Sequence, residues 1–154
     1  HPNSRRQRQM CIRDSVKKVF NKNTKAILMV HTYGLTSEAS EIRQFSNDNG
    51  LILIEDTAEA HGQTYNNIKC GSFGDVSTLS FYANKHITTG EGGMVLTDDE
   101  EIYKSLIQMR NLDFKSKTRF QHDNLYWNYR LGGLQAALGI SQSKNLKRVI
   151  ENKI

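Results

Sequence analysis

One lysine in this sequence has a setting unlike that of the others. In "SFYANKHITTGEGG", Ser80 to Gly93, Lys85 stands between a short aromatic run and a turn rich in threonine and glycine. Asp56 follows the apolar run "LILIE", and Ser80 lies five residues before the lysine. In open α/β sheets, ligand groups collect at the carboxyl ends of parallel strands, so these three residues could converge on one small ligand. Pyridoxal 5'-phosphate asks for such a set: its ring nitrogen is an electron sink only when protonated, its aldehyde needs an amine, and its phosphate needs donors. Asp56 can favour the charged ring nitrogen by opposite charge. Lys85 can form a Schiff base. Ser80 and nearby backbone N–H groups can bind the phosphate.

Each residue also has a plainer reading. A lone lysine after a strand is most often a solvated charge, Asp56 could cap a turn, Ser80 could bond its own backbone, and Glu59 could be an exposed charge at a helix start. His61 and His86 read more readily as satisfied structural histidines than as substrate contacts. "TTGEGG" lacks the G-x-x-x-x-G-K-[ST] order of a phosphate loop and precedes a strand, so Gly90, Gly92 and Gly93 are turn residues that let the backbone pass close to a ligand. Tyr126, Trp127 and Tyr129 fit core or subunit-interface packing better than a nucleobase platform.

The elements that must position these groups alternate. "KAILMVHTYG" reads as a buried strand, followed by a helix capped by Thr36 or Ser37, with Ala39, Ile42 and Phe45 on one face and Asn49-Gly50 as its stop. "LILIED" completes a βαβ unit of a parallel sheet covered on both faces. "GQTYNNIKCGSFGD" reads as a loop or hairpin with Asn66-Asn67 at its tip. "VSTLSFYA" and "GGMVLT" are two further strands. Thr97 and Glu100 have capping-box spacing before a helix carrying Ile102, Leu106 and Met109. "LGGLQAALGISQSKNLKRVI" reads as one helix. The fold class is α/β, a mostly parallel sheet flanked by helices.

Size and composition are those of one globular unit: 154 residues, 37% hydrophobic and 24% charged. No apolar run is long enough to cross a bilayer, so no membrane association is expected. The net charge of +5 is concentrated at the start, where Arg5, Arg6, Arg8 and Arg13 face only Asp14. Residues 1–15 are therefore read as an unstructured or artefactual segment and residues 16–154 as the folded part. With no interleaved aromatics there, nucleic-acid binding is not expected. The two cysteines, Cys11 and Cys70, form no disulfide framework and fit a reducing, cytoplasmic setting. No zinc motif is visible.

Four segments in order, "IEDTAEAHG", "GSFGD", "LSFYANKHITTGEGGMVLTDD" and "WNYRLGGLQAALG", resemble the DegT/DnrJ/EryC1/StrS sugar aminotransferases, and within them most resemble the GDP-perosamine synthases. The resemblance runs from about residue 25 to the end. It implies part of the large domain of a fold type I pyridoxal-phosphate enzyme, with a nucleotide-linked 4-keto-6-deoxy sugar as substrate and glutamate as amino donor. It makes Lys85 the Schiff-base lysine and general acid/base, Asp56 the partner of the pyridinium nitrogen, and Ser80 a phosphate ligand. Glu59 falls where many relatives carry glutamine or histidine near the cofactor ring, and resembles the perosamine branch in being glutamate. Asn128 matches an asparagine that reaches the cofactor phosphate of the neighbouring subunit, which implies a homodimer. Related dehydratases carry histidine at the lysine position; here it is Lys85, which implies amino transfer. Family members are longer two-domain chains, and this sequence resembles their middle portion. The alternative expectation is a non-catalytic truncated fold or dimerisation module.

Overall fold

The computed structural model describes residues 14–115 and 117–152. Of the opening segment expected to lack structure, residues 1–13 lie outside the described residues. Its last two, 14 and 15, begin a helix over residues 14–19 (α1). Phe20, just after it, packs edge-on against Phe45 with ring centroids 5.5 Å apart.

Strand β1 (Ala26–Val30), helix α2 (Ala39–Asp48) and strand β2 (Ile52–Asp56) form the expected βαβ unit. The two strands run parallel in register from Ala26 opposite Ile52 to Val30 opposite Asp56. Ala39, Ile42 and Ser46 are the buried residues of α2. Their spacing places them on one face, as the 3.6-residue period requires. The expected hydroxyl cap is not used: Ser37 Oγ donates to the Val30 carbonyl at 2.9 Å, and Glu38 occupies the cap position without a side-chain bond. That bond ties the helix start to the end of β1 instead. Asn49 and Gly50 end α2, with Gly50 in the left-handed region at φ 62°.

A small hairpin follows, β3 (Thr64–Tyr65) against β4 (Ile68–Lys69). Asn66 and Asn67 form its tip with φ of 49° and 64°, the paired positive angles of a tight two-residue turn. Strand β5 (Val76–Ser80) then joins β2 in parallel, and β6 (Gly93–Leu96) pairs antiparallel with β5, giving the order β1-β2-β5-β6. Helix α3 (Glu100–Arg110) starts at Asp99, whose carboxylate accepts from the N–H groups of Glu101 and Ile102. The Thr97–Glu100 capping box does not form, because the Thr97 hydroxyl donates to the Asp75 carbonyl. The single terminal helix expected from the sequence is two, α4 (Gly133–Ser143) and α5 (Leu146–Glu151). The Asn145 amide folds back onto the Ser141 carbonyl and ends the first of them.

Met29, Ala39, Ile42, Leu53 and Phe73 form the core between α2 and the sheet. Among the described residues, coverage of both faces of β1 and β2, expected from the apolar runs, is not found. Leu28, Val30 and Ile52 point to the other face and stay 64%, 43% and 50% exposed, because α2 covers only one side. Among the described residues no helix is long and apolar enough to cross a membrane.

Candidate active site

Strand alternation decides which residues of β2 meet. Leu53 and Glu55 face α2 and are fully buried, whereas Asp56 lies on the opposite face, half-buried. Asp56 shares a rung with Val30 and with Thr78, and Ser80 is two residues beyond Thr78 on the same face. Asp56 thus stands at the carboxyl end of its strand, as expected, and Ser80 ends the adjacent parallel strand, which stops three residues earlier than the run "VSTLSFYA" suggested.

Lys85 follows β5 in a turn closed by its own N–H on the Tyr82 carbonyl. Its side chain is 16% exposed, and Nζ lies 3.6 Å from Glu59 Oε1. The other Glu59 oxygen, Oε2, accepts from the Tyr33 N–H at 2.6 Å. Tyr33 sits in a short 3-10 turn (Thr32–Gly34) with a left-handed φ of 54°. A non-glycine residue held there costs of order 1 kcal/mol or more and signals a constraint from its surroundings. Here the constraint aims an N–H at the carboxylate that pairs with the lysine.

The plainer readings also hold in part. Asp56 Oδ1 accepts from Ala58 N–H at 2.9 Å, and Ser80 Oγ from Tyr82 N–H at 3.3 Å, so both serve local turns. Neither shares a hydrogen bond with Lys85. Asn128 is not brought to this group: its amide oxygen accepts from Arg130 N and Nε, and its backbone bridges Asn111. Gly90 and Gly92 adopt φ of 80° and 144°, and a Cβ on Gly93 would lie 2.8 Å from the Leu79 carbonyl. The glycine turn therefore does bring backbone close to backbone, folding the lysine loop against β5.

Two buried groups were undervalued by sequence reasoning. Glu55 accepts five hydrogen bonds: from His31 Nε2 and Gly71 N on Oε1, and from Phe73 N, Gly74 N and Ser77 Oγ on Oε2. Ser37 N–H donates to His31 Nδ1, which places the imidazole proton on Nε2 facing Glu55. Burial alone would raise the Glu55 pKa; the bonds from His31, Gly71, Gly74 and Phe73 outweigh it and hold the group at about 2. Cys70 gathers with His31 and Glu55, their ligand atoms within 4.8 Å. Burial and then the Glu55 charge push its thiol up to about 11. Glu55, with its five donors, is the centre of a hydrogen-bonded core, and Cys70 lies at the edge of that core. The legible signal was period two: Glu55 alternates with Leu53 on the buried side.

The second group is His61, expected to be a satisfied histidine. It is 6% exposed, and neither ring nitrogen has a hydrogen-bond partner. Its ring meets Phe81 edge-on and His86 at a tilt, both with centroids 6.2 Å away. Burial, then the charges of His86 and Lys85, push its pKa down. The Ser80 carbonyl pulls the other way but falls outside hydrogen-bond geometry.

A cavity of about 1120 Å³ lies elsewhere, between β5–β6 and α3, lined by Leu79, Phe81, Met94, Leu106 and Tyr129 among others. None of the five predicted site residues lines it. Its walls are largely apolar, and its size reflects uncovered sheet rather than assembled chemistry.

The chain is 41% identical to a GDP-perosamine synthase of Vibrio cholerae over 140 residues, covering 91% of this chain and 38% of that one. The structure of PseC, a Helicobacter pylori aminotransferase involved in the biosynthesis of pseudoaminic acid, superposes with a TM-score of 0.83 at 33% identity, over 88% of this chain and 37% of that one. The Escherichia coli GDP-4-keto-6-deoxy-D-mannose-3-dehydratase with bound hydrated PLP gives 0.80 at 33% identity, over 88% and 39%. The chain thus spans about two fifths of the length of the curated relatives it matches. The fold, an α/β arrangement with a mostly parallel sheet flanked by helices, is shared with these fold type I enzymes. A family model matches residues 6–154, nearly the whole chain, and places it in the DegT/DnrJ/EryC1/StrS aminotransferase family.

Proposed function

We propose that this chain carries the cofactor-binding part of a pyridoxal-phosphate-dependent aminotransferase acting on a nucleotide-linked 4-keto-6-deoxy sugar, as in GDP-perosamine synthases, with glutamate as amino donor. The observation that carries the reading is the clustering of Lys85 and Glu59 beside the strand ends that bear Asp56 and Ser80. The residues fit the cofactor. A mostly buried amine, a strand-end carboxylate and a strand-end hydroxyl match its aldehyde, ring nitrogen and phosphate, and the neighbouring imidazole still has both nitrogens unused.

When bound, pyridoxal phosphate supplies an electron-withdrawing ring that carries the amino group between donor and acceptor. Lys85 would hold it through its amine and would move a proton at Nζ. Asp56 would favour the protonated ring nitrogen by opposite charge. Ser80 Oγ would donate to the phosphate. Glu59, fixed by Tyr33 N–H, orients the lysine. Asn128 lies apart from these groups and would reach the cofactor phosphate of a second copy in a homodimer. A lysine at position 85, where related dehydratases have histidine, favours amino transfer.

A second reading, a non-catalytic dimerisation module, is favoured by the apolar side chains left open in the last third, with Leu125 90%, Trp127 66% and Leu134 91% exposed. One experiment separates the two. The purified chain is incubated with pyridoxal phosphate, reduced with borohydride and mapped by peptide mass, beside Lys85→Ala. A yellow absorbance that reduction fixes onto Lys85, absent in the variant, is expected. No absorbance, or an equal one in the variant, would leave the non-catalytic reading.

A further inference from the structure

His61 is the buried polar group with the least local explanation. An imidazole always presents two nitrogens that want partners, and each one left without a partner in a protein interior costs about 1–3 kcal/mol. Such groups in native proteins call for a bound water, an ion or a role in chemistry. His61 has one neighbour suited to all three, because the loop that covers it carries Lys85.

The surroundings hold the ring in place. Phe81 and His86 flank it from the lysine loop. Gly62, next in the chain, has φ 80°, and the Ile150 side chain of α5 fills the space where its Cβ would stand. The backbone at His61 is therefore pinned under that helix. The charged groups facing the ring are Lys85 and His86. From the other elements packed nearby, α4 carries no charged residue, while Lys147 and Glu151 of α5 lie 3.9 Å apart on its exposed side. Arg148 of α5 is also exposed.

We propose that His61 is a positioning residue for the Lys85 amine: a neutral imidazole beneath the lysine loop that accepts the amine's hydrogen bond through one water and repels the amine when protonated. The inference rests on the aminotransferase reading for its consequence, though not for its geometry. The proposed water would have the imidazole, the amine and the Ser80 carbonyl as its partners, the groups that act on His61, and three is a number typical of buried waters. Burial and the nearby positive charges keep His61 neutral at neutral pH, so it offers the amine an acceptor without adding a competing charge. Glu59 holds the same amine from the opposite sign, at 3.6 Å. Lys85 is thereby set between an anionic partner and a neutral one.

The test follows the rate at which pyridoxal phosphate is captured on Lys85, trapped by borohydride at timed intervals, from about pH 5 to about pH 9. Wild type, His61→Asn and His61→Phe are compared. In wild type the rate acquires an extra inflection below the ordinary histidine range, where His61 gains its proton; both variants lose it. At neutral pH, His61→Phe slows capture roughly tenfold and His61→Asn, which keeps a hydrogen-bonding group, recovers most of the loss. Superimposable pH profiles for the three proteins would overturn the proposal. A second measurement stands apart from the cofactor. The His61 imidazole is titrated by NMR in the cofactor-free chain and in Lys85→Met, where its midpoint rises as a neighbouring positive charge is removed. An unmoved midpoint refutes the proposal even if no protein captures the cofactor. A raised midpoint with no capture in wild type upholds the His61–Lys85 contact and rejects the aminotransferase reading.

Discussion

Two buried titratable groups lie six residues apart and are treated in opposite ways. Glu55, inside β2, has five donors for its two oxygens. His61, in the turn region after that strand, has none for its two nitrogens. The first joins β1, β2, β5 and the 71–74 loop into one hydrogen-bonded unit, and no ligand is needed to explain it. The second is affordable only where something beyond the local chain makes use of it. Saturation marks architecture, and an unmet need marks the site.

The contrast can be broken most forcefully at Glu55. Glu55→Ala leaves His31, Gly71, Phe73, Gly74 and Ser77 without their common acceptor, and is expected to cost about 3–5 kcal/mol in urea unfolding. A loss below about 1 kcal/mol would mean that the network does not hold the strands together.

Acid should act on the same group. The Glu55 pKa falls from 4.5 to about 2 on folding. A depressed carboxylate contributes stability that is complete above its unfolded value and is lost as pH falls through its folded one. About 3 kcal/mol should therefore disappear between about pH 5 and about pH 2. Unfolding free energies measured across that range should slope downward with acid in wild type and lie flatter in Glu55→Gln.

The smallest effect is expected at His61. Replacing an unmet imidazole by Phe removes two polar atoms from a buried, partly aromatic setting, so the unfolding free energy should stay within about 1 kcal/mol of wild type or rise. A loss like that at Glu55 would erase the distinction between the two groups.

Much of this was legible in the sequence because it rests on local rules. The βαβ unit, the Asn66-Asn67 turn and the strand-end position of Asp56 follow from periodicity and turn chemistry, whereas the strand read over "VSTLSFYA" stops at Ser80 and leaves Lys85 in the turn beyond it. What escaped depends on partners far along the chain. Ser37 gives its hydroxyl to Val30 rather than to a helix end, Thr97 to Asp75, and Tyr33 takes a strained backbone to reach Glu59, 26 residues away. Period two sets Glu55 on the same side of β2 as Leu53, but only the fold reveals that this side is the core and that five donors wait there. The uncovered face of β1 and β2 was also hidden, because an apolar run states that a strand can be buried and not whether a covering layer is present.

The shared rung of Val30, Asp56 and Thr78 sets a limit on chain length. Insertion of a single residue within β2, ahead of Glu55, would turn the rest of the strand over, sending Asp56 into the α2 core and exposing Glu55 on the face that Asp56 now occupies. The hairpin tip at Asn66-Asn67, exposed and tied to none of these groups, can lengthen without that penalty. Descendants of this sequence should therefore gain and lose residues at the tip while counting those of β2 without error.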